Sequence, residues 1–196
     1  MDRNNLQTRT IASRFTLRRD GEDTPKIEGH FSVFDSNYEL WPGATESIAP
    51  GAFSKTLGED IRALIDHETR LVLGRNTAGT LQLKEDEHGL WGSIDVNPKD
   101  GDAMNLVARM ERGDVNQCSF GFEIIDEETE FREDGSIHWT IKEVRLHEVS
   151  VVTFPAYTDT GVALRKHDFE ELKKRKHEAW QESRLQRLKK GEQHDA

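Results

Sequence analysis

The run VNQCSFGFEI, residues 115–124, sets a cysteine beside a serine, with a glycine two positions after the serine. Either side chain is a candidate nucleophile, and such a group needs a base and something to orient the base. Two other segments hold the partners: His67 near the end of IRALIDHE, and His147 and Glu148 side by side in EVRLHEVSVV. Strand alternation sorts the first run into Gln117, Ser119, Gly121 and Glu123 on one face and Cys118, Phe120, Phe122 and Ile124 on the other. The second set is the core side, so Cys118 reads as a small buried hydrophobe and not as a thiolate. Ser119 points the opposite way, where Gly121 leaves room for a substrate backbone. In the later run, Val144, Leu146, Glu148, Ser150 and Val152 share a face, and His147 shares the other with Arg145, Val149 and Val151. A glutamate among valines and leucines is costly to bury without a partner, and a histidine is the obvious one. A serine, a histidine and a carboxylate together are the minimal machinery of acyl transfer. The competing reading is three unrelated polar residues in a β-rich domain.

The remaining candidates are weaker. His88 falls in a turn, His167, His177 and His194 in a charged tail, and His30 and His138 inside strands, where a surface or hydrogen-bonded histidine is the ordinary case. DHE at 66–68 and LHE at 146–148 lack a regular ligand spacing, which ranks a metal-dependent hydrolase last. No HExxH, phosphate-binding glycine loop or dinucleotide fingerprint occurs. Cys118 is the one cysteine, so neither an internal disulfide nor a multi-cysteine zinc site is available. The expectation is a chain without metal or cofactor.

The elements that must position these residues are short and β-rich. TIASRFTLRRD and KIEGHFSVFDS alternate around DGEDTP and predict a hairpin; PGAFSKTL predicts a turn and a short helix. IRALIDHE, GTLQLKED and GLWGSIDV read as strands with short polar connections, an antiparallel meander. Within 97–114, Ala103, Leu106, Val107 and Met110 recur at helical spacing, and Gly113 ends the run. The strand holding Ser119 follows, and EDGSI turns the chain into HWTIKEVRLHEVSVV. The fold class is mainly β with a few helices (α+β), arranged as a closed or nearly closed antiparallel β-barrel with a charged C-terminal helix. Residues 1–10 are expected to fray, 11–165 to form the barrel domain, and 166–196 to form the charged tail.

The charge of −10 is the wrong sign for a general nucleic-acid binder. No apolar run approaches a membrane span, and MDRNNLQTRT contains no apolar core of a secretory signal. The expectation is no nucleic acid, no membrane, and a cytoplasmic setting.

IAPGAF, DHE, QCSFGFE and LHEVSVVTFPAY occur in the order found in tailed-phage prohead serine proteases, and the resemblance runs from Ile11 to Arg165. It implies the β-barrel fold of the herpesvirus assemblins and a serine endopeptidase that removes the scaffolding segment of the major capsid protein inside the immature shell. Carried over, Ser119 resembles the nucleophile, His67 the general base and Glu148 the third member. His147 is the alternative third member, because assemblins use a second histidine there. A homodimer is the assembly that the assemblin analogy suggests. Self-processing is a further family trait, with 166–196 as a docking or removable segment. The alternative function is a non-catalytic β-barrel scaffold or capsid-binding protein.

Overall fold

The computed structural model describes residues 6–11, 15–19 and 24–154, and residues 166, 169–175, 177–182 and 184 of the C-terminal segment. The chain divides into two compact units, Met1–Tyr157 and Thr158–Ala196. In the second unit, 169–175 and 177–182 are helical, consistent with its run of charged helix formers.

The first unit contains β1 (Gln7–Ile11), β2 (Thr16–Arg19), β3 (Pro25–Val33), β4 (Tyr38–Trp41), β5 (Ala44–Ile48), β6 (Arg62–Ile65), β7 (Glu68–Arg75), β8 (Leu81–Glu85), β9 (Gly89–Asp95), α1 (Gly101–Arg112), β10 (Gln117–Phe131) and β11 (Ile137–Val152). One sheet has the order β1-β10-β11-β5-β4, with β6 on the far part of β11 and β7 beside β6; the other has the order β2-β3-β9-β8. Phe31, Phe53, Phe120, Phe122, Ile27, Leu90 and Ile94 are fully buried in one core, and each contributes about 1.5–3 kcal/mol by leaving water. Helix α1 starts as its sequence dictates: Asp100 accepts from the amides of Asp102 and Ala103, and Gly113 closes the helix at φ 83°.

The fold is mainly β with helices, as expected, but the two sheets are not closed into a barrel, the pairing is not wholly antiparallel, and the expected meander does not form, since β6 lies in the first sheet while β8 and β9 pair in the second. The reason lies in β11. Its 16 residues are far longer than an ordinary strand, so one edge serves two short strands in parallel. Ile137–Ile141 pairs with Ala44–Ile48, and Glu148–Val151 pairs with Arg62–Ile65. Between them, residues 49–59 supply the missing partners: Val144 N donates to Ala52 O at 3.0 Å and Leu146 N to Thr56 Oγ1 at 3.0 Å. This stretch is a series of tight turns, with amides of Ala52, Ser54, Thr56 and Glu59 each donating to the carbonyl three residues earlier. The short helix expected in PGAFSKTL is therefore absent; an α-helix would turn those edge groups inward. The β4–β5 hairpin, around Trp41-Pro42-Gly43-Ala44, has no counterpart among the expected strands, although Gly43 at φ 85° marks its turn.

Residues 7–10 of the segment expected to fray lie, with Ile11, in strand β1. They pair with β10 along its other edge, Thr10 opposite Ser119 and Ile11 opposite Cys118.

Candidate active site

Three elements converge on one face of the large sheet. In the β10–β11 ladder, Ser119 is the cross-strand partner of Ser150, and Gly121 is the partner of Glu148. Directly opposed residues in an antiparallel pair project to the same side, so Ser119, Gly121, Ser150 and Glu148 share a face. Strand β6 runs along the other edge of β11 and ends in the turn that carries His67.

That turn is tight. Ile65 and Glu68 are paired, and the two residues between them, Asp66 and His67, have φ of 49° and 60°. A two-residue hairpin loop of this hand normally holds Asn-Gly, and each non-glycine residue in the left-handed region costs about 1–2 kcal/mol. The end of β11 holds the turn in place. Asp66 N donates to Val151 O at 2.9 Å, and the Asp66 carboxylate accepts from Thr153 N at 2.6 Å and Thr153 Oγ1 at 3.0 Å. His67 N donates to Ser150 Oγ at 3.3 Å.

The imidazole is fixed on one side only. His67 Nδ1 lies 2.7 Å from Glu148 Oε1, and Ser150 Oγ donates to Glu148 Oε2 at 2.5 Å. Glu148 is 8% exposed, and both its oxygens have partners, which removes the cost of burying it alone. His67 Nε2 is buried and has no hydrogen-bond partner. Gly121 makes the arrangement possible. A Cβ there would overlap Glu148 Oε1 and lie 3.2 Å from Glu148 Cδ and Cγ. The space beside Gly121 thus belongs to the Glu148 carboxylate and not to a substrate backbone, which corrects the expectation drawn from alternation.

Alternation also misplaces Leu146. Gly121 pairs with Glu148, but the next residue, Phe122, pairs with Leu146, so His147 is an extra residue in β11. This bulge reverses the phase of the strand. Leu146 joins Phe122 in the core, while Glu148 stays with Gly121. The bulged His147 is 40% exposed, its Nε2 3.2 Å from Glu123 Oε1. The structure therefore brings Glu148, not His147, to His67.

Ser119 is fully buried, and its Oγ donates to Arg9 O of β1 at 2.9 Å. Cys118 lies in the core, Sγ 3.1 Å from His30 O. Gly121 is flanked by Thr8 of β1 and Glu148 of β11. His30 and His138 are hydrogen-bonded structural residues, His30 to Asp86 at 2.9 Å and His138 to Thr45 and Ser47 at 2.8 and 3.0 Å. Among the described residues no group of three or more His, Cys, Asp or Glu could hold a metal ion, and no helix is long and apolar enough to cross a membrane. Ser150, Asp66 and Thr153 were not singled out by sequence reasoning. Only Ser150, on the Glu148 side of an alternating strand, carried any signal.

A curated relative, the prohead protease of Enterobacteria phage HK97, is 32% identical over 144 residues, 71% of this chain. The chain spans 60% of that relative's length. The solved structure of the bacteriophage T4 capsid assembly protease matches with a TM-score of 0.53 at 12% identity, covering 76% of this chain and 98% of that one, a likeness of fold. The family model described as caudovirus prohead serine protease matches residues 13–175, and with Ser119, His67 and Glu148 all inside that span, the chain belongs to the caudovirus prohead serine protease family.

Proposed function

We propose that this protein is a serine endopeptidase that removes the scaffolding segment of a phage major capsid protein within the immature shell, with Ser119 as nucleophile, His67 as general base and Glu148 as the group that orients the base. One observation carries the reading: the His67 imidazole is anchored through Nδ1 to a buried carboxylate while Nε2 is buried and unpartnered. That is the condition of a base awaiting a hydroxyl proton. The HK97 relative is a prohead protease by name.

In this mechanism Ser119 Oγ forms a bond to the scissile carbonyl carbon and its proton passes to His67 Nε2. Glu148 stabilises the imidazolium. Collapse breaks the C–N bond, and the proton leaves on the amine. Water then adds to the acyl-enzyme by the same route, releasing the acid and restoring Ser119. The chemistry uses side chains of this chain alone.

Co-expression with the capsid protein carrying its scaffolding segment tests this. Wild type shortens the capsid protein; Ser119→Ala and His67→Ala leave it at full length while their circular dichroism remains native. Cleavage by Ser119→Ala removes the assignment. The burial of Ser119 under β1 favours the second reading, a non-catalytic scaffold or capsid-binding protein. In that case wild type and Ser119→Ala both leave the capsid protein whole.

A further inference from the structure

The strand over Ser119 has the features of an internal occupant. β1 is five residues long and lies on the outer edge of β10, one residue directly opposite Ser119. Ser119 is fully buried beside it, and the proton of its hydroxyl goes into a hydrogen bond with the Arg9 carbonyl oxygen. A serine that attacks a peptide must instead meet a substrate carbonyl at this position, and an extended peptide adding to a sheet edge supplies one through main-chain pairing. The two cannot lie there together.

The register of β1 has a specific anchor. Arg9 Nε lies 2.6 Å from Glu46 Oε1 and Arg9 Nη2 3.1 Å from Glu46 Oε2, a two-pronged pair in which Glu46 is 0% exposed. The same guanidinium sits 5.6 Å from the Phe122 ring centroid. A buried carboxylate beside an aromatic face suits a planar cation, arginine ahead of lysine.

We propose that the β10 edge from Gln117 to Phe122 is the binding site for the substrate strand, that β1 occupies it in cis, and that Glu46 selects a basic side chain in whichever strand lies there. The proposal rests on Ser119 being the nucleophile. The described state is then the closed one. Ser119 becomes reactive in proportion to the fraction of molecules in which β1 has left the edge. The hydrogen bond from Ser119 Oγ to the carbonyl oxygen keeps Arg9 an occupant and not a reactant.

The test uses the full-length chain and a fluorophosphonate probe, with labelling of Ser119 followed by peptide mass spectrometry. Arg9→Glu sets a carboxylate against Glu46 and releases the strand. Ile11→Cys places a thiol opposite the native Cys118, and directly paired strand positions lie within disulfide reach. Oxidation with excess oxidised glutathione then locks the strand. Arg9→Glu is expected to label at least about tenfold faster than wild type, and the locked form at least about tenfold slower, with reduction restoring the wild-type rate. A synthetic peptide of residues 4–13 should protect Arg9→Glu from the probe, and the same peptide with glutamate for arginine should not.

Equal labelling of Ser119 in the released, wild-type and locked forms overturns the proposal while leaving the nucleophile in place. Equal protection by both peptides removes the role of Glu46. If no form labels at Ser119 while circular dichroism stays native, the nucleophile assignment falls and the proposal with it. Should the disulfide not form or Arg9→Glu not fold, the peptides acting on wild type decide: protection by the arginine peptide alone supports the edge site, equal protection by both removes only the role of Glu46, and protection by neither overturns the edge site.

Discussion

His67 Nδ1 and Glu148 Oε1 stand 2.7 Å apart although 81 positions separate them in the chain. Their meeting depends on a parallel pairing, Glu148–Val151 alongside Arg62–Ile65, which delivers the β6–β7 turn to the end of β11. Ser150 joins the two, donating to the carboxylate and accepting from the backbone of His67.

Gly121→Ala should disable the site without unfolding the domain. The added Cβ collides with a carboxylate that His67 and Ser150 both hold, so Glu148 must shift and the imidazole loses its orientation. A misplacement of this size lowers kcat by about 10²-fold. Steady-state kinetics with far-ultraviolet circular dichroism check it; unchanged kcat would show that the Glu148 position is not needed.

Glu148 and His147 should separate cleanly. In the proposed mechanism Glu148→Gln removes the carboxylate that would stabilise the imidazolium, and kcat should fall by about 10²–10⁴-fold. His147→Ala removes a half-exposed side chain on the bulge, and kcat stays near wild type. A larger loss in His147→Ala would transfer the third role to His147.

Asp66 acts at one remove, as a positioning residue for His67. Asp66→Ala deletes both bonds to Thr153 and leaves a left-handed alanine in the turn. The expected result is a loss of about 1 kcal/mol in stability and a fall in kcat with KM little changed. Asp66→Asn, which tolerates the same backbone and retains an acceptor, should recover most of both. A variant with lowered stability but full kcat would make the clamp purely structural.

Acid should weaken the fold through His138. Burial lowers its pKa from 6.5, helped by the charge of Arg132, with Glu130 and Glu46 opposing. Because the folded value is the lower one, the unfolded chain binds the proton first. Stability is full above pH 6.5 and falls as pH drops from there towards the folded pKa. Denaturant midpoints measured between pH 5 and 8 should slope less in His138→Asn than in wild type. An identical slope would exclude His138 as a contributor.

The residue types were readable without coordinates. Alternation alone put Cys118, Phe120 and Phe122 into the core and Ser119 on the opposite face, because a strand with one buried side must repeat every second residue. The cap and stop of α1, and the β2–β3 hairpin, were equally local, since each depends on neighbours a few residues apart. The resemblance of four short segments named the family and its three candidate residues.

What local pattern could not supply was phase and partnership. The bulge at His147 shifts β11 by one residue, so Leu146 and Glu148, two apart in sequence, face opposite sides. Nothing in LHE marks that extra residue, because a bulge is decided by what the neighbouring strand can pair with. The choice of Glu148 over His147, the occupation of the Gly121 space, and the cover of β1 over Ser119 all arise the same way. Each is set by contacts between segments far apart in the chain, and those contacts exist only once the sheet has assembled.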